Sequence, residues 1–350
     1  MRARAFLIVA LGVLFLAIAS LWTQPAAADD QANCADDSGD KAIAACTHAI
    51  KSGRWKGADL GSLYFNRASE YEQKGDKDRA LADYNDAIRL NPKDADAHND
   101  RGALYADEGD QKRALADYDE AIRLNPKGAA AHINRGNIYS DQGDQERALA
   151  DYREAIRLDP KSAQAYYNRG KLYDDKGDKE RALADYTAAI RLDPKDTDAY
   201  VNRGSLYDDK GEKDQAFADY NEAIRLAPED ADAYNNRGLI YQERGQIDRA
   251  LADYNEAIRL NPGRAATYYN RGKLYYDKGE RDQALADYNE AIRLDPKDPD
   301  FYVDRCVLYD HKGAKDRALA DCQAALRLDP SNRQAAKLIG KLQPSPAKAP

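Results

Sequence analysis

The sequence predicts an all-α protein, an α-solenoid of eight helix-turn-helix repeats of 34 residues. A half-repeat precedes the array and a capping helix follows it. Three observations predict this fold. Prolines recur at Pro92, Pro126, Pro160, Pro194, Pro228, Pro262, Pro296 and Pro330, each 34 residues after the last. A glycine holds one fixed place in every repeat, from Gly75 to Gly313. Alanines hold two more, from Ala80 and Ala87 to Ala318 and Ala325. With proline at position 32, the repeats span 61–94, 95–128, 129–162, 163–196, 197–230, 231–264, 265–298 and 299–332.

The first segment, residues 1–28, is expected to be a secretory signal. Arg2 and Arg4 precede an apolar run from Ala5 to Trp22, and Ala26-Ala27-Ala28 offers a small-residue cleavage site. The apolar run is near the length that spans a bilayer, so a retained anchor is the alternative. Cleavage takes the net charge from −8 to −10 and leaves no membrane span. Residues 29–60 form the half-repeat, whose segment Asp40 to Lys51 aligns with the second helix of a repeat.

Each repeat then holds two helices, such as Ala165 to Lys176 and Lys179 to Leu192, with apolar residues three and four apart in the second. Glycine at position 15 supplies the left-handed residue that closes the first helix. An acidic residue usually follows it and suits the next N-terminus. Proline at 32 blocks continuation of the second helix. Small residues at positions 8, 20 and 27 let the helix backbones approach closely. After Pro330, residues 333–343 read as a capping helix with Ser331 near its start, and 344–350 as a disordered tail.

Position 8 is Gly in six repeats, Tyr fills position 11 in all eight and position 24 in seven, and Ala fills 20 and 27 throughout. With an aromatic at 4 and Pro at 32, these residues resemble the tetratricopeptide repeat family from Gly61 to about Asn332. The resemblance implies a right-handed solenoid that binds protein partners on a concave face lined by the first helices. One departure recurs. Position 7, usually leucine in the family, is Arg in all eight repeats (Arg67 to Arg305), and position 23 is always Asp (Asp83 to Asp321). A helix-to-helix ion pair repeated along the array is expected.

All four cysteines lie at the ends of the array. Cys306 and Cys322 stand at positions 8 and 24, where other repeats have Gly and Tyr, and Cys46 aligns with position 24 of the half-repeat. Positions 8 and 24 are expected to face each other, so a Cys–Cys pair keeps the contact and can bond across it. Four cysteines allow three pairings. Cys34–Cys46 and Cys306–Cys322 are expected, because the two ends lie far apart. The export signal implies an oxidising compartment where such bonds persist. Free cysteines serving as small core residues are the alternative.

The residue inventory argues against catalysis. Of four histidines, His98 and His132 occupy position 4 as core aromatics, His48 lies on the second helix of the half-repeat, and His311 is isolated near the end of a first helix. No Ser-His-Asp set, phosphate loop or metal-ligand spacing occurs, so neither an enzyme nor a cofactor or metal is expected. Acids outnumber bases by 61 to 53, which disfavours nucleic acid.

The resemblance implies that positions 2, 5, 9, 12 and 13 touch ligand. Positions 12 and 13 carry ten acids and no base, among them Asp174, Asp175, Asp208, Asp209, Glu243 and Asp277. Position 2 adds Asp198 and Asp232, while Lys171 and Lys273 at position 9 are the only bases lining the face. Three tyrosines fall outside the packing positions, Tyr167, Tyr269 and Tyr276, and all lie at positions 5 or 12. Asn168 belongs to a row of asparagines at position 6. The expected role is a scaffold whose acidic, tyrosine-bearing face holds a protein segment rich in Lys or Arg. A structural or self-associating envelope protein, its acids serving solubility, is the alternative.

Overall fold

The structure, a computed structural model, describes residues 32–342. The expected signal (1–28) and tail (344–350) lie outside these residues. After a helical turn at 32–36, the helices are α1 (Gly39–Lys51), α2 (Gly57–Gln73), α3 (Lys77–Leu90), α4 (Ala95–Asp107), α5 (Gln111–Leu124), α6 (Ala129–Asp141), α7 (Gln145–Leu158), α8 (Ala163–Asp175), α9 (Lys179–Leu192), α10 (Thr197–Asp209), α11 (Lys213–Leu226), α12 (Ala231–Glu243), α13 (Ile247–Leu260), α14 (Ala265–Asp277), α15 (Arg281–Leu294), α16 (Pro299–His311), α17 (Lys315–Leu328) and α18 (Arg333–Leu342). The architecture is all-helical among the described residues. Two compact units divide the described residues, one up to Leu172 and one from Tyr173 on. Within each, helices pack on their neighbours in chain order, and first helices of successive repeats also touch, as α4 does α6 and α12 does α14.

The corners follow from side-chain reach. The eight corner glycines, Gly75 to Gly313, have φ between 69° and 81°, a region closed to most residues with a Cβ. The next residue caps the second helix where it is Asp: the carboxylates of Asp76, Asp110, Asp144 and Asp178 accept from the backbone N–H three residues on. Glu212 and Glu280, one methylene longer, make no such bond. Helix α2 starts four residues before the expected repeat boundary at Gly61. The corner before it, residues 52–56, lacks the proline that ends the second helix of the full repeats.

Glycine at position 8 exists for the tyrosine at 24. A Cβ added to Gly102, Gly136, Gly204 or Gly238 would meet Cε1 of Tyr118, Tyr152, Tyr220 or Tyr254 at 2.8 Å. The last repeat fills the same contact with sulfur. Cys306 is bonded to Cys322 across α16 and α17 with Cα atoms 5.6 Å apart. At the other end Cys34 is bonded to Cys46, with Trp55 and Leu60 packed on the pair. Leu338, Ile339 and Leu342 of α18 cover the Cys306–Cys322 cluster. The Asn332 side chain caps α18, accepting from the Ala335 N–H at 2.9 Å. Ser331 instead bonds to Asp329.

The ion pair between positions 7 and 23 is the core's polar seam. Arg203 grips Asp219 with two parallel bonds of 2.8 and 2.7 Å. Arg67, Arg101, Arg135, Arg237, Arg271 and Arg305 grip their own aspartates the same way. The third guanidinium nitrogen reaches back to the preceding second helix, as Arg237 does to Asn221 at 2.8 Å. Where position 4 is Tyr, the arginine can lie near the tyrosines at positions 4 and 11, as Arg203 does over Tyr200 and Tyr207, while Arg101 and Arg135 lie near Tyr105 and Tyr139 alone. One side chain thus ties three helices together. His98 and His132 add a bond the sequence did not suggest: their Nδ1 atoms lie 3.2 and 3.0 Å from Asp117 and Asp151.

Candidate partner-binding site

The first helices of neighbouring repeats meet along positions 5, 6 and 9. The amide of Asn134 donates to Asn99 at 3.1 Å, that of Asn168 to Asn137 at 2.8 Å, and that of Asn270 to Asn235 at 3.2 Å. Asn168 therefore spends its amide on the repeat-to-repeat seam. Tyr167, beside it on α8, is half-buried.

In the second unit the acids of positions 12 and 13 gather near the ends of the first helices. Lys213 on α11 bridges Asp208 and Glu243 at 2.7 and 2.8 Å. Lys179 on α9 pairs with Asp209 at 2.6 Å. In the first unit Lys77 pairs with Asp107 at 3.0 Å. The cation stands at position 17 of a second helix, the preceding one for Asp107, Asp209 and Glu243 and that of the same repeat for Asp208. A second ladder runs beside it: Lys210 reaches Glu180 at 3.5 Å and Arg244 reaches Asp214 at 2.5 Å. Part of the acidic row is thereby neutralised from within.

Asp174 also lies near Lys179, yet burial, with Asp175 and Asp209 nearby, holds its carboxyl above the usual range. Other acids of the row lack such a cation. Asp175 and Asp277 are exposed. Ile247 holds position 17 before Asp277, so no cation answers it from α13. Asp198 and Asp232 sit in the first turns of α10 and α12, about 15 Å along the helix axis from positions 12 and 13. They do not join the cluster, and Asp232 contacts Arg264 of its own repeat.

The tyrosines group with residues outside the expected set. Tyr269 on α14 donates to Asp304 Oδ2 at 2.8 Å and packs on Phe301 with ring centres 4.8 Å apart. Tyr276 stacks on His311, and its hydroxyl lies 2.6 Å from His311 Nδ1. Asp304 and Asp100 are the two position-6 residues that are Asp where the other six repeats have Asn. That break in the internal pattern was the signal available in the sequence. Burial is the first cause lifting both carboxyls, and Asp100 is pushed up to about 6. Among the described residues no group of three or more potential ligands could hold a metal ion. No helix there is long and apolar enough to cross a membrane.

Comparison with known proteins agrees with the helix-pair geometry. Sequence profiles described as TPR repeat match residues 136–177, 238–279 and 272–313. Profiles described as tetratricopeptide repeat match 65–129 and 167–231, and 117–150 and 219–252. Together they run unbroken from residue 65 to 313. No curated protein matches. Among solved structures, the hetero-tetramer Cut9-Hcn1 of the APC/C is similar at 19% identity and a TM-score of 0.62, over 87% of this chain. This chain spans 60% of that one. A tetratricopeptide repeat protein from Parabacteroides merdae is 25% identical with a TM-score of 0.54, over 71% of this chain and 98% of its own. Pseudomonas aeruginosa pilF is 20% identical with a TM-score of 0.55, over 61% of this chain and 97% of its own. The chain belongs to the tetratricopeptide repeat family, whose arrays serve as protein-interaction scaffolds.

Proposed function

We propose that this chain is an exported, non-catalytic scaffold that holds a Lys- or Arg-bearing protein segment against its first helices. The observation that carries the reading is the pair of exposed acids that no internal cation bridges, Asp175 and Asp277, the second of them next to the aromatic side chain of Tyr276. Uncompensated carboxylates next to ring faces favour cationic side chains. Export accords with the signal-like leader and with cystines closing both ends of the array.

The lysine ladder from position 17 favours a second reading, in which the acids hold repeats together and keep the array soluble. The two readings part under charge reversal. The mature chain, residues 29–350, is immobilised in an extract of the exported compartment, beside the variant Asp175→Lys with Asp277→Lys. Both positions are exposed and unpaired, so the fold should survive. The proposal expects a captured partner with a basic segment, released by salt and lost in the variant. Capture equal on both baits, or of its own copies alone, supports the structural reading.

A further inference from the structure

We infer that Asp304 is the seat of one arginine side chain of the bound segment, an inference that rests on the reading just given. At position 6 an asparagine can donate its amide to a neighbouring amide oxygen, as Asn270 does to Asn235. An aspartate can only accept. Asp304 takes one bond, from Tyr269 to Oδ2, which leaves acceptor capacity on Oδ1. It is half-buried, and Asp300 and Asp277 lie close enough to add to the lifting of its carboxyl. The site therefore gathers three carboxyl groups around one internal cation, Lys273.

The surroundings fit a flat cation. Tyr269 is fixed by Phe301 on one side, and Tyr276 is fixed by its stack on His311. The protein already places a cation here: the Lys273 ammonium lies over the Tyr269 ring, 5.3 Å from its centre. Lys273 is exposed, so its chain can swing into water when another cation arrives. A guanidinium is planar, so it can lie flat on a tyrosine while its edge forks onto a carboxylate, whereas an ammonium is a compact point charge without that flat face. Asp100 in the first unit lacks both tyrosines, with Phe65 at the position of Tyr269. Its oxygen takes the amide of Asn99 at 3.0 Å, and position 12 of the preceding repeat is Glu72 rather than a tyrosine.

The test titrates the full mature chain with a fluorescein-labelled octapeptide of alternating serine and arginine, and with its citrulline counterpart, which keeps shape and loses charge. The wild type should bind the arginine peptide about tenfold more tightly than the citrulline one, the worth of one charge-assisted hydrogen bond. Asp304→Asn installs the residue that six other repeats carry, so folding is not at risk, and it should abolish that difference. Lys273→Met removes the internal competitor and should tighten arginine binding about threefold, since one exposed charge contributes little. Opposite signs from two neighbours are not what a loosened fold produces. Binding of the arginine peptide unaltered by either substitution overturns the inference and leaves the acidic face standing. No binding of the arginine peptide to the wild type removes both.

Discussion

Removing half of one buried ion pair should open one repeat and leave distant repeats closed. Asp219 is 5% exposed and accepts two charge-assisted bonds from Arg203. Breaking such a pair by removing one charge costs about 3–5 kcal/mol. Arg203 retains 16% side-chain exposure, so water relieves part of its lost partner, and Asp219→Asn should cost about 3 kcal/mol, the lower end. The asparagine keeps the shape and one acceptor, which isolates the charge. Because a repeat array opens locally, the assay is amide hydrogen exchange. Amides of α10 and α11 should lose that protection, while those of α16 and α17 should not change. The double variant Arg203→Leu with Asp219→Leu installs an apolar contact and should recover to within about 1 kcal/mol of wild type, since a buried pair and well-packed hydrocarbon are often equivalent. A loss under about 1 kcal/mol for Asp219→Asn, or an equal loss across the second unit, would refute the view of the pair as a local lock.

Two further outcomes follow from single features. Cys306→Gly with Cys322→Tyr restores the glycine–tyrosine contact of the other repeats. Reducing agent should then no longer loosen α16 to α18, whereas in the wild type it should remove about 3 kcal/mol of local stability, the chain-entropy value for a loop of this size; proteolysis of the C-terminal helices with and without reductant reads the difference. Asp100 has its carboxyl raised to about 6, burial being the first cause. The folded state therefore holds a proton that the unfolded state has released, so this group's contribution is best near pH 4 and is lost as pH rises through about 6. Asp100→Asn should stabilise the first unit by about 1 kcal/mol at pH 7.5, discounted for its partial exposure, and have no effect at pH 4; urea unfolding at the two values measures it.

The fold was legible because the residues that set it recur at fixed spacing. Pro92 to Pro330 fixed the period, Gly75 to Gly313 the corners, and Gly102 with Tyr118 the helix contact. The pairing of Arg203 with Asp219 was legible for the same reason, since two departures that always occur together ask for a common cause. The candidate site was less legible. Its acids could be assigned to first helices, but Lys179 and Lys213 approach Asp209 and Glu243 from the preceding second helix, a relation that lies 30 residues away in sequence. Asp304 was missed because a row of asparagines hides one aspartate until burial and Tyr269 show that the exchange removes a donor. His98 and His132 read as aromatic filler, and only the packed helices bring Asp117 and Asp151 to their ring nitrogens.

The central claim is that the acids and tyrosines of the first helices meet the partner. The most direct test places a photo-crosslinking side chain at Asp175, Asp209 or Tyr276, and in parallel at Glu222 or Glu256 on the second helices, where each acid pairs only with an arginine three residues on. The chains are then irradiated in the exported compartment. The expected result is one adduct of common mass from the first-helix positions, mapping to an arginine- or lysine-bearing segment, with none from the second-helix positions. Adducts from Glu222 and Glu256 alone, or only to copies of this chain, would contradict the claim.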